Sequence, residues 1–409
     1  MSLKTSKAIV ISSGLAIFSM FFGAGNLMYP IKTGIMSGNL NFYGISGFLI
    51  TSVLLPLAGL VAMMLFDGDY KAFFARLGNF PGKAMLGACV IIIGPLIAIP
   101  RIVTVAHVMM SPFLPLEILR GSETTSLLLF SLFFLGVSFL GSFRENKIID
   151  VLGYVISPLL VLSLGTLIVK GFITAGAPIA ATDTAWGLFR TNVVRGYGTL
   201  DLIGAIFFAS IVIGILKNKI TDKAARTNCK SLAVIGLKAG TIGVGLLALV
   251  YIGQSFLGAH FGAGLEGMND GVAFREIVFK VVGRYGAAII GSASMFACFS
   301  TSIALGAAVA EYLQKDVLKN KIGYVTALAA VLLASLPLSV YGLDTILALT
   351  GGPITFIGYP ALIALTFCNI GYKLFDFRPV KTPVLITFLI AFITYFVVYF
   401  DRFLLYGPH

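Results

Sequence analysis

Charge is what this 409-residue chain has least of. Asp, Glu, Lys and Arg make up 11% of it, less than half of the roughly 25% carried by a soluble domain. A water-facing surface of this size could not be covered, so a soluble globular protein is excluded. Histidine is scarce: there are three, one of them the terminal His409, which leaves little for a membrane-embedded hydrolase. Cys89, Cys229, Cys298 and Cys368 are scattered. With no C-x-x-C pair and no His at metal-ligand spacing, they argue against a disulfide framework or a zinc site.

What the chain does have is apolar: 58% of residues are hydrophobic and mean hydropathy is +0.99. This reads as an all-α polytopic membrane protein. A crossing helix needs about 20 apolar residues, and on that rule eleven spans are expected, near 8–33, 42–66, 84–110, 125–143, 148–170, 194–216, 231–258, 285–313, 322–341, 344–370 and 382–401. The runs are apolar all round rather than alternating, which disfavours a β-barrel. Lys4 and Lys7 ahead of an apolar stretch ending in Gly23-Ala24-Gly25 also fit a cleavable signal peptide. Continuation through Asn26 and Pro30 into ten later spans favours a retained first helix.

A net charge of +12 would suggest nucleic acid if the basic residues formed one face. They sit instead in short clusters between apolar runs, a pattern of topology rather than phosphate binding. Eighteen Lys and Arg fall in segments on the N-terminal side of the membrane and nine on the other, with Arg101 and Lys238 inside spans. The excess predicts a cytoplasmic N-terminus, and eleven spans would then leave the C-terminus outside.

Spans one to five (8–170) and six to ten (190–370) overlay as two fives, with 382–401 as an extra helix. An odd number per half inverts the second relative to the first, as in many secondary transporters. Both halves open on an interrupted helix: Phe21-Phe22-Gly23-Ala24-Gly25-Asn26 with Pro30 a turn later, and Gly196-Tyr197-Gly198-Thr199-Leu200-Asp201. Glycine costs about 1 kcal/mol in a helix interior, and a break frees backbone groups that lipid cannot satisfy. Freed N–H groups can hold a carboxylate and freed C=O groups a cation. The plainer reading of one Gly-x-Gly is close helix packing; two at matching positions favour a site. Thr350-Gly351-Gly352-Pro353 in span ten reads as a kink or gate.

These residues resemble the bacterial branched-chain amino acid permeases, the system II carriers for leucine, isoleucine and valine. The resemblance lies in Phe22-Gly23-Ala24-Gly25-Asn26-Leu27 with Pro30, in Gly94-Pro95-Leu96-Ile97-Ala98-Ile99-Pro100-Arg101, in Gly196 to Asp201, in Ala297-Cys298-Phe299-Ser300-Thr301 and in Ala310-Glu311-Tyr312. It runs in order from about residue 7 to about residue 370. Ile31 replaces a proline usual in the family, and the tail reads one helix short of the usual twelve. The resemblance implies a leucine-transporter-like fold of five plus five inverted helices, with helices one and six unwound beside the substrate. It implies that the amides of Ala24 and Gly25 bind the substrate carboxylate and that Asn26 supports the break or a nearby cation. Gly196, Tyr197 and Gly198 would form the facing wall, with Tyr197 closing over the substrate and Thr199 beside them. A sodium ion would take carbonyls of Ser19, Phe22 and Ala297 and the hydroxyls of Ser300 and Thr301. Without the resemblance, those hydroxyls read as bonding the carbonyl one turn back.

Asp201 inside a span is costly, about 2.5–3.5 kcal/mol on insertion scales. It reads as a partner for a substrate ammonium or as a proton relay, and equally as an acid answering the dipole of the second half-helix. Arg101 reads as a partner of Asp201 or of a gate acid, or as a tie to freed carbonyls. Lys238 can snorkel to the surface, Glu311 and Lys315 make an i,i+4 surface pair, and His107 and His260 receive no role. The expected activity is sodium-coupled symport of a small aliphatic amino acid across the bacterial inner membrane by alternating access. The rivals are a proton-coupled carrier of the same fold using Asp201 and, further off, a channel or amino-acid sensor. A membrane enzyme is the weakest reading, because no nucleophile, base and orienting group occur together.

Overall fold

Glycine and Gly-Pro pairs inside the apolar runs end or bend the helices, and these interruptions set the architecture. The computed structural model describes residues 7–114, 123–143, 157–219 and 229–406, and every regular element among them is helical. The first run stops at Phe22-Gly23, which divides α1 (Lys7–Phe21) from α2 (Ala24–Ser37). The chain returns through α3 (Asn41–Leu49), a π-helical turn at Ile50–Leu54 and α4 (Leu55–Leu65). A short α5 (Tyr70–Ala75) leads to α6 (Asn79–Ile91) and α7 (Ala98–Met110). The latter two are kinked apart where Gly94 (φ −94°, ψ −118°) precedes Pro95. Then come α8 (Glu123–Ser142) and α9 (Ser157–Thr174).

The second half opens with α10 (Ala185–Tyr197), a break in which Leu200 takes φ 64°, and α11 (Asp201–Lys219). The long α12 (Cys229–Phe261) follows. The run Asp270–Tyr312 is divided at Gly283 (φ 70°, ψ −175°) into α13 (270–282) and α14 (284–312). Next are α15 (Tyr324–Val340), α16 (Leu343–Leu349), a π-helical stretch Thr350–Gly358 bent at Gly352-Pro353, α17 (Tyr359–Phe375) and α18 (Lys381–Tyr406). Among the described residues, seven helical runs are long and apolar enough to cross a membrane, and four shorter apolar helices accompany them.

Each expected span overlaps a helix, but three details differ. Span six begins at Ala185 instead of 194, so Arg190 and Arg195 lie on the first half-helix and not in a loop. Asn192 and Arg195 make that half amphipathic, which a count of apolar residues misses. The loop expected before 285 is largely helix α13, and the third span is kinked at Gly94. Lys4, Arg120, residues 144–156 (the basic pair Arg144 and Lys147, and the start of span five), residues 220–228 and His409 lie outside the described residues.

The two broken helices lie at the centre. Residues 16–31 and 201–209 are buried without exception, whereas α18 exposes Leu385, Ile390 and Ile393 along an apolar outer face. Helix α12 runs along both α1 and α2, α3 packs on α10, and α4 packs on α11. The α2–α12 crossing depends on glycine. A Cβ on Gly34 would stand 1.9 Å from the Ser255 carbonyl oxygen, and one on Gly258 would stand 2.1 Å from that of Ile31. Small residues are how membrane helices come this close.

Candidate functional site

Asn26, in the first turn of α2, joins the two breaks. Its Oδ1 accepts the Gly23 N–H at 3.2 Å, closing the first break. Its Nδ2 donates to Asp201 Oδ2 at 2.7 Å, across to the second break, and to the Tyr251 hydroxyl of α12. Tyr251 in turn donates to Asp201 Oδ2 at 3.2 Å. All three side chains are buried, and together they tie α2, α11 and α12. Asp201 stands at the N-terminal end of α11, where the helix dipole favours an anion.

Arg101, reaching in from α7, serves the other side of the second break. Its Nη1 donates to the Gly198 carbonyl and its Nη2 to that of Thr199 at 3.1 Å, two of the acceptors left open where α10 ends. The guanidinium lies over the Tyr29 ring, 5.7 Å from its centroid. A Cβ on Gly25 would be 3.0 Å from Nη2, so the guanidinium rests against the first turn of α2. This is the carbonyl tie; among the described residues no carboxylate pairs with Arg101. Leu200, held at φ 64° and 4% exposed, marks the second break as strained, since a branched side chain in the left-handed region is uncommon.

A cavity opens between the breaks. Its polar wall is Gly23 to Asn26, Thr199, Asp201, Arg101 and Thr301, and its apolar wall includes Met20, Phe21, Ile93, Ile102, Phe208 and Leu305. The Asn26 N–H bonds the Gly23 carbonyl at 3.1 Å, which leaves the first amides of α2, those of Ala24 and Gly25, without an acceptor in their own helix, and both residues lie on this wall. A second cavity, toward the end of the bundle away from the N-terminus, is lined by Tyr29, Arg195, Gly198, Asp270, Leu347, Thr350, Thr355 and Phe356. There Arg195 Nη1 pairs with Asp270 Oδ2 at 2.9 Å, and Lys32 Nζ stands 4.0 Å from Asp270 Oδ1. Tyr29, Gly198 and Arg101 stand between the two cavities.

The residues expected from sequence divide accordingly. Gly23, Ala24, Gly25, Asn26, Thr199 and Asp201 line the inner cavity. Gly196 and Tyr197 do not. A Cβ on Gly196 would collide with Thr51 Oγ1 at 2.0 Å, so this glycine serves close packing on the second span. Tyr197 stacks on Tyr359 of α17 with ring centroids 5.1 Å apart and does not line the inner cavity. Gly198 faces the outer cavity. For the expected ion set, Ser300 Oγ and Thr301 Oγ1 both donate to the Ala297 carbonyl, at 2.8 and 3.2 Å, which leaves their lone pairs free. Thr301 sits on the first break, 3.3–3.4 Å from where a Cβ of Gly23 would be. Ser19, Phe22 and Ala297 are fully buried.

Tyr251 was missed. It lies in an otherwise apolar span, but the cluster Tyr251, Gln254 and Ser255 was a signal that this face of α12 meets polar groups. The minor charges fall as read: Lys315 pairs with Glu311 at 2.6 Å on the surface, and Lys238 is exposed. His107 and His260 are held by Ser126 and the Gly176 carbonyl.

The sequence profile of the family described as "Branched-chain amino acid transport protein" matches residues 6–400. The chain belongs to that family. It is 30% identical over 382 residues to the branched-chain amino acid permease BraB of Bacillus subtilis, covering 92% of this chain and 82% of that one. To the permease BrnQ of Escherichia coli it is 28% identical, covering 87% and 79%. Two solved structures share the fold at low identity. The nucleobase-cation-symport-1 family transporter Mhp1 has a TM-score of 0.57 at 14% identity, covering 93% of this chain and 91% of its own. A manganese transporter of Eremococcus coleocola has a TM-score of 0.63 at 13% identity, covering 100% and 90%. This family member is thus a multi-pass membrane transporter with a leucine-transporter-like fold, and not an enzyme.

Proposed function

We propose that this transporter carries leucine, isoleucine and valine into the cell together with sodium by alternating access, in the bacterial inner membrane with the N-terminus cytoplasmic. The reading is carried by one observation: the open N–H groups of α2 and the carboxylate of Asp201 share a cavity whose other wall is aliphatic and aromatic. A zwitterion with a branched apolar side chain matches that wall, its carboxylate at the α2 terminus and its ammonium at Asp201. The excess of Lys and Arg on the N-terminal side supports the orientation.

For the coupling ion, sodium is a hard cation suited to carbonyl and hydroxyl oxygens. Thr301 stands against the first break with Ser300 and the Ala297 carbonyl beside it. An ion bridging α1 and α14 there would favour the broken geometry of the first helix that presents the α2 amides. Inward movement of one positive charge gains about 2.3 kcal/mol per 100 mV, roughly a fifty-fold concentration ratio at 1.4 kcal/mol per tenfold. The second reading is proton coupling, favoured by the buried Asn26–Asp201–Tyr251 cluster.

Purified protein in liposomes tests both. Leucine uptake is expected to collapse when choline replaces sodium, and Thr301→Ala to raise the sodium needed for half-maximal uptake at least tenfold while Thr301→Ser stays near wild type. Uptake that follows a pH gradient equally well without sodium would select the proton reading. Failure to take up any branched-chain amino acid under either gradient would remove the function itself.

A further inference from the structure

Arg101 is a buried cation that the sequence offers as a partner of Asp201 or of a gate acid, or as a carbonyl tie, yet its surroundings are unbalanced for the tie alone. Two neutral carbonyls accept from its two Nη groups, and its Nε is buried with no hydrogen-bond partner. Among the described residues it has no paired carboxylate. Its guanidinium also lies against the N-terminal turn of α2, so the positive end of that helix and a full positive charge converge on one wall of the inner cavity. Two like potentials held together away from water have no anion bonded to them. Across the same cavity stands Asp201, an acid whose Oδ2 is engaged by Asn26 and Tyr251.

We propose that Arg101 is a substrate-recognising residue: it binds the carboxylate of the incoming amino acid, jointly with the first amides of α2, while Asp201 faces the ammonium. The inference rests on the amino-acid carrier function proposed above and names the group that reads the anionic end. A planar guanidinium can keep its carbonyl bonds on one edge and offer another N–H to a carboxylate, which a lysine ammonium does less well. The position has a second consequence. Arg101 with Tyr29 forms the wall between the two cavities, so a carboxylate arriving from the outer cavity meets the residue that binds it at the point where it must pass.

The test compares leucine with leucinamide, which keeps the side chain and the amine but lacks the anion, as competitors of labelled leucine uptake in liposomes. In the wild type, leucinamide is expected to bind at least a hundredfold more weakly than leucine. In Arg101→Gln the leucine KM is expected to rise at least thirtyfold while leucinamide inhibition changes less than threefold, so that the discrimination collapses. Arg101→Lys, which keeps the charge and guards against a failure to fold, is expected to raise the leucine KM about tenfold with leucinamide again nearly unchanged. Equal weakening of both compounds in either variant, or an unchanged ratio, would assign Arg101 a purely structural role and overturn the proposal. A wild type that transports leucine and discriminates normally keeps that outcome separate from failure of the carrier function.

Discussion

Asn26 shows how much one side chain can be asked to do when water is excluded. Its amide closes the first break through Gly23, reaches the second through Asp201 and meets Tyr251 of α12. Both Nδ2 protons and Oδ1 are committed, so the geometry of the two breaks is set by one planar group. Removing a single partner leaves buried polar atoms unpaired at about 1–3 kcal/mol each. Tyr251→Phe is therefore expected to lower leucine kcat/KM by about 5- to 100-fold, with wild-type elution in gel filtration showing that the fold survives. Asp201→Asn separates the two coupling readings. If sodium drives transport, the variant should bind leucine more weakly but keep its sodium dependence. If protons drive it, pH-gradient accumulation should vanish while counterflow of labelled leucine persists.

Helices are the scale at which the sequence was most and least informative. The two Gly-rich interruptions were visible because glycines beside an amide or an acid, deep in an apolar run, weaken the helix just where lipid would otherwise demand an unbroken one. Both end a helix where expected. The Gly94-Pro95 kink was equally encoded, but within a run judged by apolar length alone it passed as continuous. The start of α10 was misplaced because a half-helix carrying Asn192 and Arg195 resembles a loop by hydropathy. The family resemblance implies that Tyr197 closes over the substrate. Helical rotation decides instead which side of α10 it faces, and it faces Tyr359. Contacts between elements carry their own prediction. Gly34→Ala places a methyl 1.9 Å from a backbone oxygen of α12 and must separate the helices, an overpacking cost of about 1–3 kcal/mol or more. Gly87→Ala on α6 has nothing within 4 Å and gains helix propensity. In thermal melts in detergent, the first should lower the midpoint by several degrees and the second should leave it unchanged or raise it. A similar response in both would mean that the α2–α12 crossing is looser than a glycine contact requires.

At the scale of the whole molecule, the described residues close the two ends of the central bundle by different contacts. At the end away from the N-terminus, a cavity reaches in from Arg195 and Asp270 to Tyr29. At the N-terminal end, α5 is fastened across the exit of α14: Tyr70 donates to Asp316 Oδ2 at 3.1 Å and Lys71 pairs with the same carboxylate. The Tyr70 ring packs on Phe207 of α11 and on Tyr312. Burial, and after it the Asp316 charge, push the Tyr70 hydroxyl well above the ordinary tyrosine range, so it remains a donor throughout physiological pH. Lys71 is 59% exposed on its side chain, and such a pair is worth little by itself, about 0–1 kcal/mol. The half-buried tyrosine bond and ring contacts then carry more of the closure than the ion pair does, beside the Asn369 Nδ2 bond to the Phe73 carbonyl at 3.1 Å. Hydrogen exchange of residues 70–75 in the purified protein checks this division. Asp316→Ala, which removes both partners, is expected to speed exchange there about five- to tenfold, and Lys71→Ala less than threefold, with residues 29–37 at the other end unaffected by either. Equal acceleration by both variants would place the closure in the ion pair, and no acceleration by Asp316→Ala would show that α5 is held by its other contacts, the ring packing and the Asn369 Nδ2 bond to the Phe73 carbonyl.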